Sequence, residues 1–378
     1  MRRFLTETGR VAIYGQASSS LRMIVGATSV IYLMSHGVTL AQIGAMKAMQ
    51  ATVVLLLDVP LGYLADRWGR RNLICMANIA TALWLGLTAL GGADVFDAAR
   101  ESYDVFGISI SISIVLFFIA EAFNAFALAA FNGAFSAALL ETYERQNARR
   151  DFENILGLYG KWQFALMALA AFVGAWAGGG ASAIVWWVSA GATLALALTT
   201  RFFVRAPFIG ASVKSSPSML RDLQEMTGHL SLSRSTLLLG ASYVLFLLCY
   251  QILLQFWQPL ISSFAIDDQS GWLYGVAFVL FLVAQSVASE HARTQRSIKI
   301  YLSLSFLLTL LFGALYYIGI DVSLTFMLIV LVAVFYLLKL LAIAFFPSYS
   351  GHCPDICGRR QSLLSRLRCG CYSLRCCR

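Results

Sequence analysis

Arg22 and Glu121 are the residues best placed to do chemistry, because each interrupts a long apolar run near its middle. An ionisable group at membrane depth costs at least about 2.5–3.5 kcal/mol on insertion scales, so it is kept for a partner or a task. A carboxylate there can take up a proton or meet a cationic ligand, and a nearby guanidinium would tune its proton affinity. A purely structural buried pair is the alternative. Glu121, Asn124 and Asn132 are spaced three and eight apart, which places them on one helix face. Gln251, Gln255 and Gln258 recur at i, i+4 and i+7, with Tyr250 and Trp257 close by. That stripe suits either a cavity wall or helix–helix hydrogen bonding. Lys339 and Lys161 are weaker candidates, since both can snorkel toward water. Lys47 falls nearer the outer end of its run.

The elements that must position these residues follow from composition. The chain of 378 residues is 59% hydrophobic and 12% charged, against about 45–50% and about 25% for soluble domains. Its apolar residues come in runs of roughly 20 or more, the length that crosses a hydrocarbon core of about 30 Å. Without water, backbone polar groups must be satisfied internally, so only helices or closed barrels can span. Long continuous runs, not short alternating ones, predict an all-α polytopic membrane protein. The expected spans are about 11–35, 40–65, 72–92, 107–141, 152–178, 181–203, 235–264, 270–290, 298–320 and 322–346. The segment from Arg205 to Arg234, with Pro207 and Pro217, reads as a connector. The expected organisation is therefore a first bundle over 1–204, a cytoplasmic connector over 205–234, a partial second bundle over 235–347 and a tail over 348–378. The first apolar run continues past any small-residue cleavage site, so the first helix is expected to be retained.

Basic residues set the orientation. Arg2, Arg3, Arg10, Arg67, Arg70, Arg71, Arg145, Arg149, Arg150, Arg201, Arg205, Arg293 and Arg296 all fall on one side of this span count. Arg100 alone falls on the other, among Asp94, Asp97, Glu101 and Asp104. The N-terminus is expected in the cytoplasm.

The turn between the second and third spans runs Asp58-Val-Pro60-Leu-Gly62-Tyr-Leu-Ala-Asp66-Arg67-Trp68-Gly69-Arg70-Arg71. It reads as a tight hairpin. Gly62 would let its helix approach a neighbour closely, and Gly69 would permit a left-handed turn. A generic basic loop would explain the arginines but not Gly62, Asp66 and Gly69 at these intervals. The stretch resembles the loop signature G-x-x-x-D-R-x-G-R-R of the major facilitator superfamily, at every defined position. The resemblance covers about residues 10–347. It implies two helical bundles around a central cavity, worked by alternating access. It also implies a cytoplasmic latch made by Asp58, Gly62, Asp66, Arg67, Gly69, Arg70 and Arg71, with Glu141 or Glu144 as acidic partners. Helices 1, 4, 7 and 10 of that family line the cavity, which places Arg22, Glu121, Asn124, Asn132, Gln251, Gln255 and Lys339 as substrate or proton candidates. The expected fold is a six-helix N-terminal bundle with an incomplete, four-helix C-terminal one. The family's eleventh helix, whose start Asp66 would face, and its twelfth have no counterpart in the apolar runs.

The tail holds six of the eight cysteines, with Arg359, Arg360, Arg366, Arg368, Arg375 and Arg378. Its His352, Cys353 and Cys357 match no common zinc spacing, and palmitoylation is an alternative. The break in composition after Pro347 reads as out-of-frame translation.

No phosphate-binding glycine loop, zinc helix motif or nucleophile triad is present in the sequence. The chain reads as a transporter and not an enzyme, using no cofactor and no metal and binding no nucleic acid. The leading expectation is a monomeric proton-coupled exporter of a small drug-like or metabolic molecule in a bacterial-type inner membrane. Gly174, Gly178, Gly179 and Gly180 lend export weak support by resembling a glycine-rich motif of drug/proton antiporters. An uptake symporter of the same superfamily, and a non-transporting product of a disrupted gene, are the alternatives.

Overall fold

The computed structural model describes residues 7–93, 103–105, 108–146, 152–179, 182–204, 251–263, 271–294, 331–334 and 336. The expected spans over 298–320 and most of 322–346, the connector, the tail, Lys339 and the side chains of Lys161 and Glu144 lie outside the described residues.

The first expected span is interrupted. Helix α1 covers Glu7–Met23 and α2 covers Ser29–Ser35. Between them the backbone tightens into i→i+3 bonds, Gly26 N–H to Met23 O and Thr28 N–H to Val25 O. Two neighbours account for the break. A Cβ on Gly174 would overlap the Ile24 carbonyl, so the turn is pressed directly onto the facing helix. The Gln258 amide satisfies groups that the break releases, as described below.

Helix α3 covers Leu40–Trp68 and α4 covers Arg70–Gly91. The start of α3 is a capping box: Gln42 N–H bonds the Thr39 hydroxyl, and the Gln42 side chain accepts from Thr39 N–H at 2.8 Å. Gly69 alone separates α3 from α4, at φ 88°, a conformation that a side-chain-bearing residue resists. A short hairpin follows, β1 Tyr103–Val105 and β2 Ile108–Ile110, with Tyr103 opposite Ile110. The fourth span therefore begins at Ile112, not at 107. It forms α5, Ile112–Gln146. Helices α6, Phe152–Gly178, and α7, Ala183–Phe203, complete the first bundle. A helical segment at 251–262, here α8, and α9, Gly271–Thr294, belong to the second half.

In the first bundle α4 packs on α5 and α7, α3 packs on α5, and α1 crosses α5, α6 and α7. Small residues make this possible. Ala77 and Ala80 of α4, and Ala120, Ala127, Ala130, Ala134 and Ala138 of α5, are buried. Lipid gives helices no hydrophobic reason to associate, so close van der Waals packing of small side chains has to supply it. Two buried clusters result. One, around Tyr14, Leu61, Leu73, Ala130 and Leu139, lies toward the Asp66–Arg71 loop. The other, around Tyr32, Met46, Trp84, Phe117 and Trp186, lies toward the opposite end.

The outer faces are apolar, with Leu55 74%, Trp176 71%, Ile184 71% and Leu198 72% exposed. Among the described residues, Leu40–Asp58, Arg70–Gly91, Ile112–Leu139 and Ala183–Phe203 are long and apolar enough to cross a membrane. Trp162–Gly178 and Gly271–Ser286 are shorter apolar helices.

Among the described residues, contact between the halves includes the end opposite the loop. Helix α9 lies against α6 so closely that a Cβ on Gly271 would come within 2.7 Å of the Ala175 carbonyl. Phe278 packs there on Ala27, Ala171 and Ala175.

Candidate functional site

Four side chains from three helices meet in the first bundle. Lys47 Nζ of α3 lies 2.9 Å from Glu121 Oε1 of α5. The other carboxylate oxygen accepts from Asn124 Nδ2 at 2.9 Å, one turn along the same helix. Asn124 Oδ1 in turn accepts from the Arg22 guanidinium of α1. That guanidinium sits 4.8 Å over the Trp84 ring of α4, a cation–π contact. Glu121 and Asn124 are buried, at 5% and 2% exposed, while Lys47 and Arg22 are half-buried.

Sequence reasoning paired Glu121 with Arg22. The structure pairs it with Lys47 and sets Asn124 between the two expected partners. The difference is one of reach. A lysine stem is long enough to cross from one helix to the next, and Lys47 lies on the α3 face that packs on α5. The signal that would have found it is its charge within an apolar run, discounted because it fell off-centre. Asn132 shares the Glu121 face by periodicity but is exposed, about 16 Å further along α5 by helical rise.

A second buried polar chain ties α1 to α4 and α7. The Ser18 hydroxyl donates to Asn78 Oδ1 at 2.6 Å, and Asn78 Nδ2 donates to the Tyr14 oxygen at 2.9 Å. The Tyr14 and Thr200 hydroxyls lie 2.5 Å apart. No ionisable carboxylate or amine participates, so this chain reads as packing specificity. It was not anticipated, because none of its residues stands out in an apolar run.

Of the glutamine stripe, Gln258 alone is buried, while Gln251 and Gln255 are half-buried. Gln258 Nε2 donates to the Gly26 carbonyl at 3.0 Å, and its Oε1 accepts from Val30 N–H at 2.8 Å. Both groups belong to the break between α1 and α2. The stripe thus serves helix–helix bonding at this position.

At the loop, Arg70 bridges two acids. Its Nη1 lies 2.6 Å from Glu141 Oε1 of α5, and its Nη2 lies 3.3 Å from Asp66 Oδ1. Arg67 lies 4.7 Å over the Tyr63 ring, and Asn72 Nδ2 bonds the Trp68 carbonyl at 2.8 Å. Asp58 is exposed and joins no ion pair among the described residues. A Cβ on Gly62 would meet nothing within 4 Å, so the close approach expected there is not made by any described residue. Among the described residues no cluster of histidine, cysteine or acid side chains could hold a metal. An apolar cavity of about 480 Å³ lies between α1, α6 and α7, lined by Leu166, Leu169, Val173, Ile184 and Val188. It touches none of the charged groups, and most of its lining is exposed on the apolar face of the bundle.

This arrangement has relatives. The crystal structure of a point mutant of the nucleoside transporter NupG superposes with a TM-score of 0.68 at 18% identity, covering 90% of this chain and 81% of that one. The unmutated NupG structure gives 0.61 at the same identity. A D-xylose-proton symporter structure gives 0.52 at 14% identity, covering 88% of this chain and 78% of that one. No curated protein matches the chain. The family model described as Major Facilitator Superfamily matches residues 13–365. With signature loop, helical bundle, superposition and family match in agreement, the chain belongs to the major facilitator superfamily, as a multi-pass membrane transporter and not an enzyme.

Proposed function

We propose that this protein is a proton-coupled secondary transporter of a small organic molecule, with Glu121 as its proton site. The observation that carries the reading is the convergence of Lys47, Glu121, Asn124 and Arg22 at one buried point. A carboxylate held there by a lysine is a two-state element. Lys47 occupies one carboxylate oxygen and Asn124 the other, so a proton arriving at Glu121 has to displace one of these contacts. Alternating access would act on α1 through the break that follows it, since Gly26, Ala27 and Val30 contact the second half while α3 and α5 pack within the first one. The bridge from Arg70 to Asp66 and Glu141 would hold the loop end of the first bundle as one unit.

The excess of basic residues on the loop side supports a plasma-membrane protein with that loop and the N-terminus in the cytoplasm. The glycines of α6 lend no support to export over uptake. Gly174 packs against Ile24, and a Cβ on Gly178 would come within 2.9 Å of Val185, so packing accounts for both.

Proteoliposomes carrying a pH-sensitive dye provide the test. Nucleosides, sugars and organic acids are added in turn, and proton movement is read. Glu121→Gln is expected to cut substrate-driven proton movement at least about tenfold with insertion intact, since it removes a positioned proton acceptor. Undiminished movement in that variant would remove Glu121 from the mechanism.

A further inference from the structure

Charge and hydrogen bonding at the Glu121 cluster are unbalanced in the same direction. Two cations, Arg22 and Lys47, face one carboxylate. The other acids among the described side chains are elsewhere. Glu7, Asp66 and Glu141 lie toward the loop end, and Asp58 is about 16 Å along α3 from Lys47 by helical rise. Among the described residues one positive charge is therefore left over at membrane depth, where an uncompensated charge is costly.

The hydrogen-bond inventory agrees. A guanidinium has five N–H donors and an ammonium three. Among the described residues Arg22 has one acceptor, Asn124 Oδ1, and Lys47 has one, Glu121 Oε1. Both carboxylate oxygens of Glu121 are already engaged. The cluster is rich in donors and poor in acceptors. Neither cation is fully buried. A cation would meet net positive charge and a single carboxylate whose two oxygens each already accept a hydrogen bond. An oxyanion meets both needs at once, and a guanidinium beside an ammonium is a suitable cradle for it.

We infer that the transported molecule carries a carboxylate or phosphate group that binds between Arg22 and Lys47. This rests on the transport reading and names its substrate class. It also supplies a coupling rule. The incoming oxyanion competes with Glu121 for Lys47, and the Glu121 oxygen freed of its ammonium is then open to the coupled proton of the transport reading. One anion and one proton then move together, and the site's net charge is the same with both bound as with neither.

The inference has a test that needs no transport. The purified full-length protein is unfolded thermally without added ligand, as the parent and as Arg22→Gln and Lys47→Gln. Arg22→Gln removes surplus charge and is expected to leave Tm within about 2 °C or raise it. Lys47→Gln removes the direct partner of Glu121, which Arg22 does not replace across Asn124, and is expected to lower Tm by more than about 5 °C. Equal losses in the two variants would overturn the inference, since Arg22 would then be compensated in the resting protein. The same assay then compares benzoate, benzyl alcohol and benzylammonium at constant ionic strength, alongside phosphate, acetate and citrate. At least one oxyanion is expected to raise Tm in the parent and not in Arg22→Gln. Protection by benzylammonium alone, or by no oxyanion, overturns the inference. Oxyanion protection without proton movement in vesicles supports the anion site and removes the transport reading. Proton-coupled movement of uncharged or cationic molecules alone keeps transport and removes the anion site.

Discussion

Lys47 and Glu121 stand 74 positions apart, and only their meeting gives either one a role. Breaking a buried ion pair from one side is strongly destabilising because the remaining charge has no partner, whereas removing both charges is far milder. Lys47→Met is thus expected to cost about 3–5 kcal/mol, and Lys47→Met with Glu121→Gln to recover most of it. Denaturation of the parent, the two single variants and the double variant closes that cycle. Additive losses would mean that the pair is not coupled. Arg22 was legible from the sequence as a charge in an apolar run, and so was Glu121. Their separation by Asn124 was not, because helix periodicity gives a face and not the depth at which two faces cross.

The interrupted first helix shows what local sequence leaves open. Residues 11–35 read as one span, since Gly26 is a single glycine in an apolar run and single glycines are tolerated within helices. The break depends on partners more than 140 residues away, Gly174 on α6 and Gln258 on α8. Gln258 bonds a carbonyl and an amide that have lost their helical partners, and it comes from the other half of the molecule. Gln258→Leu is expected to speed amide exchange across residues 24–31 by about tenfold or more, one lost buried bond being worth about 1–3 kcal/mol. Hydrogen exchange of the protein in nanodiscs reads this directly. Unchanged protection would show that Gly174 packing alone holds the break. Gly69 was legible as the hairpin's pivot, because a positive-φ turn depends on residues a few positions apart.

At the scale of the molecule, the contacts between halves among the described residues include the end opposite the Asp66–Arg71 loop, where α9 meets α6 and Phe278 meets Ala27. Which membrane face that end occupies follows from the basic residues. Arg71→Cys, half-buried at the loop, is expected to react with a membrane-impermeant maleimide in inside-out vesicles and not in intact cells. Labelling in intact cells would invert the proposed orientation.

Fold class and family were determined by sequence alone. Apolar runs of membrane length permit few architectures, and the loop signature is a local pattern of glycine, aspartate and arginine whose geometry is set within about ten residues. Three things were decided only by tertiary structure: the partner of Glu121, the bond of Arg22 to Asn124 and the capping of a broken helix by Gln258. Each is an interaction across helices that are distant in sequence. In lipid, where small-residue packing decides which helices touch and at what depth, no single helix carries that information.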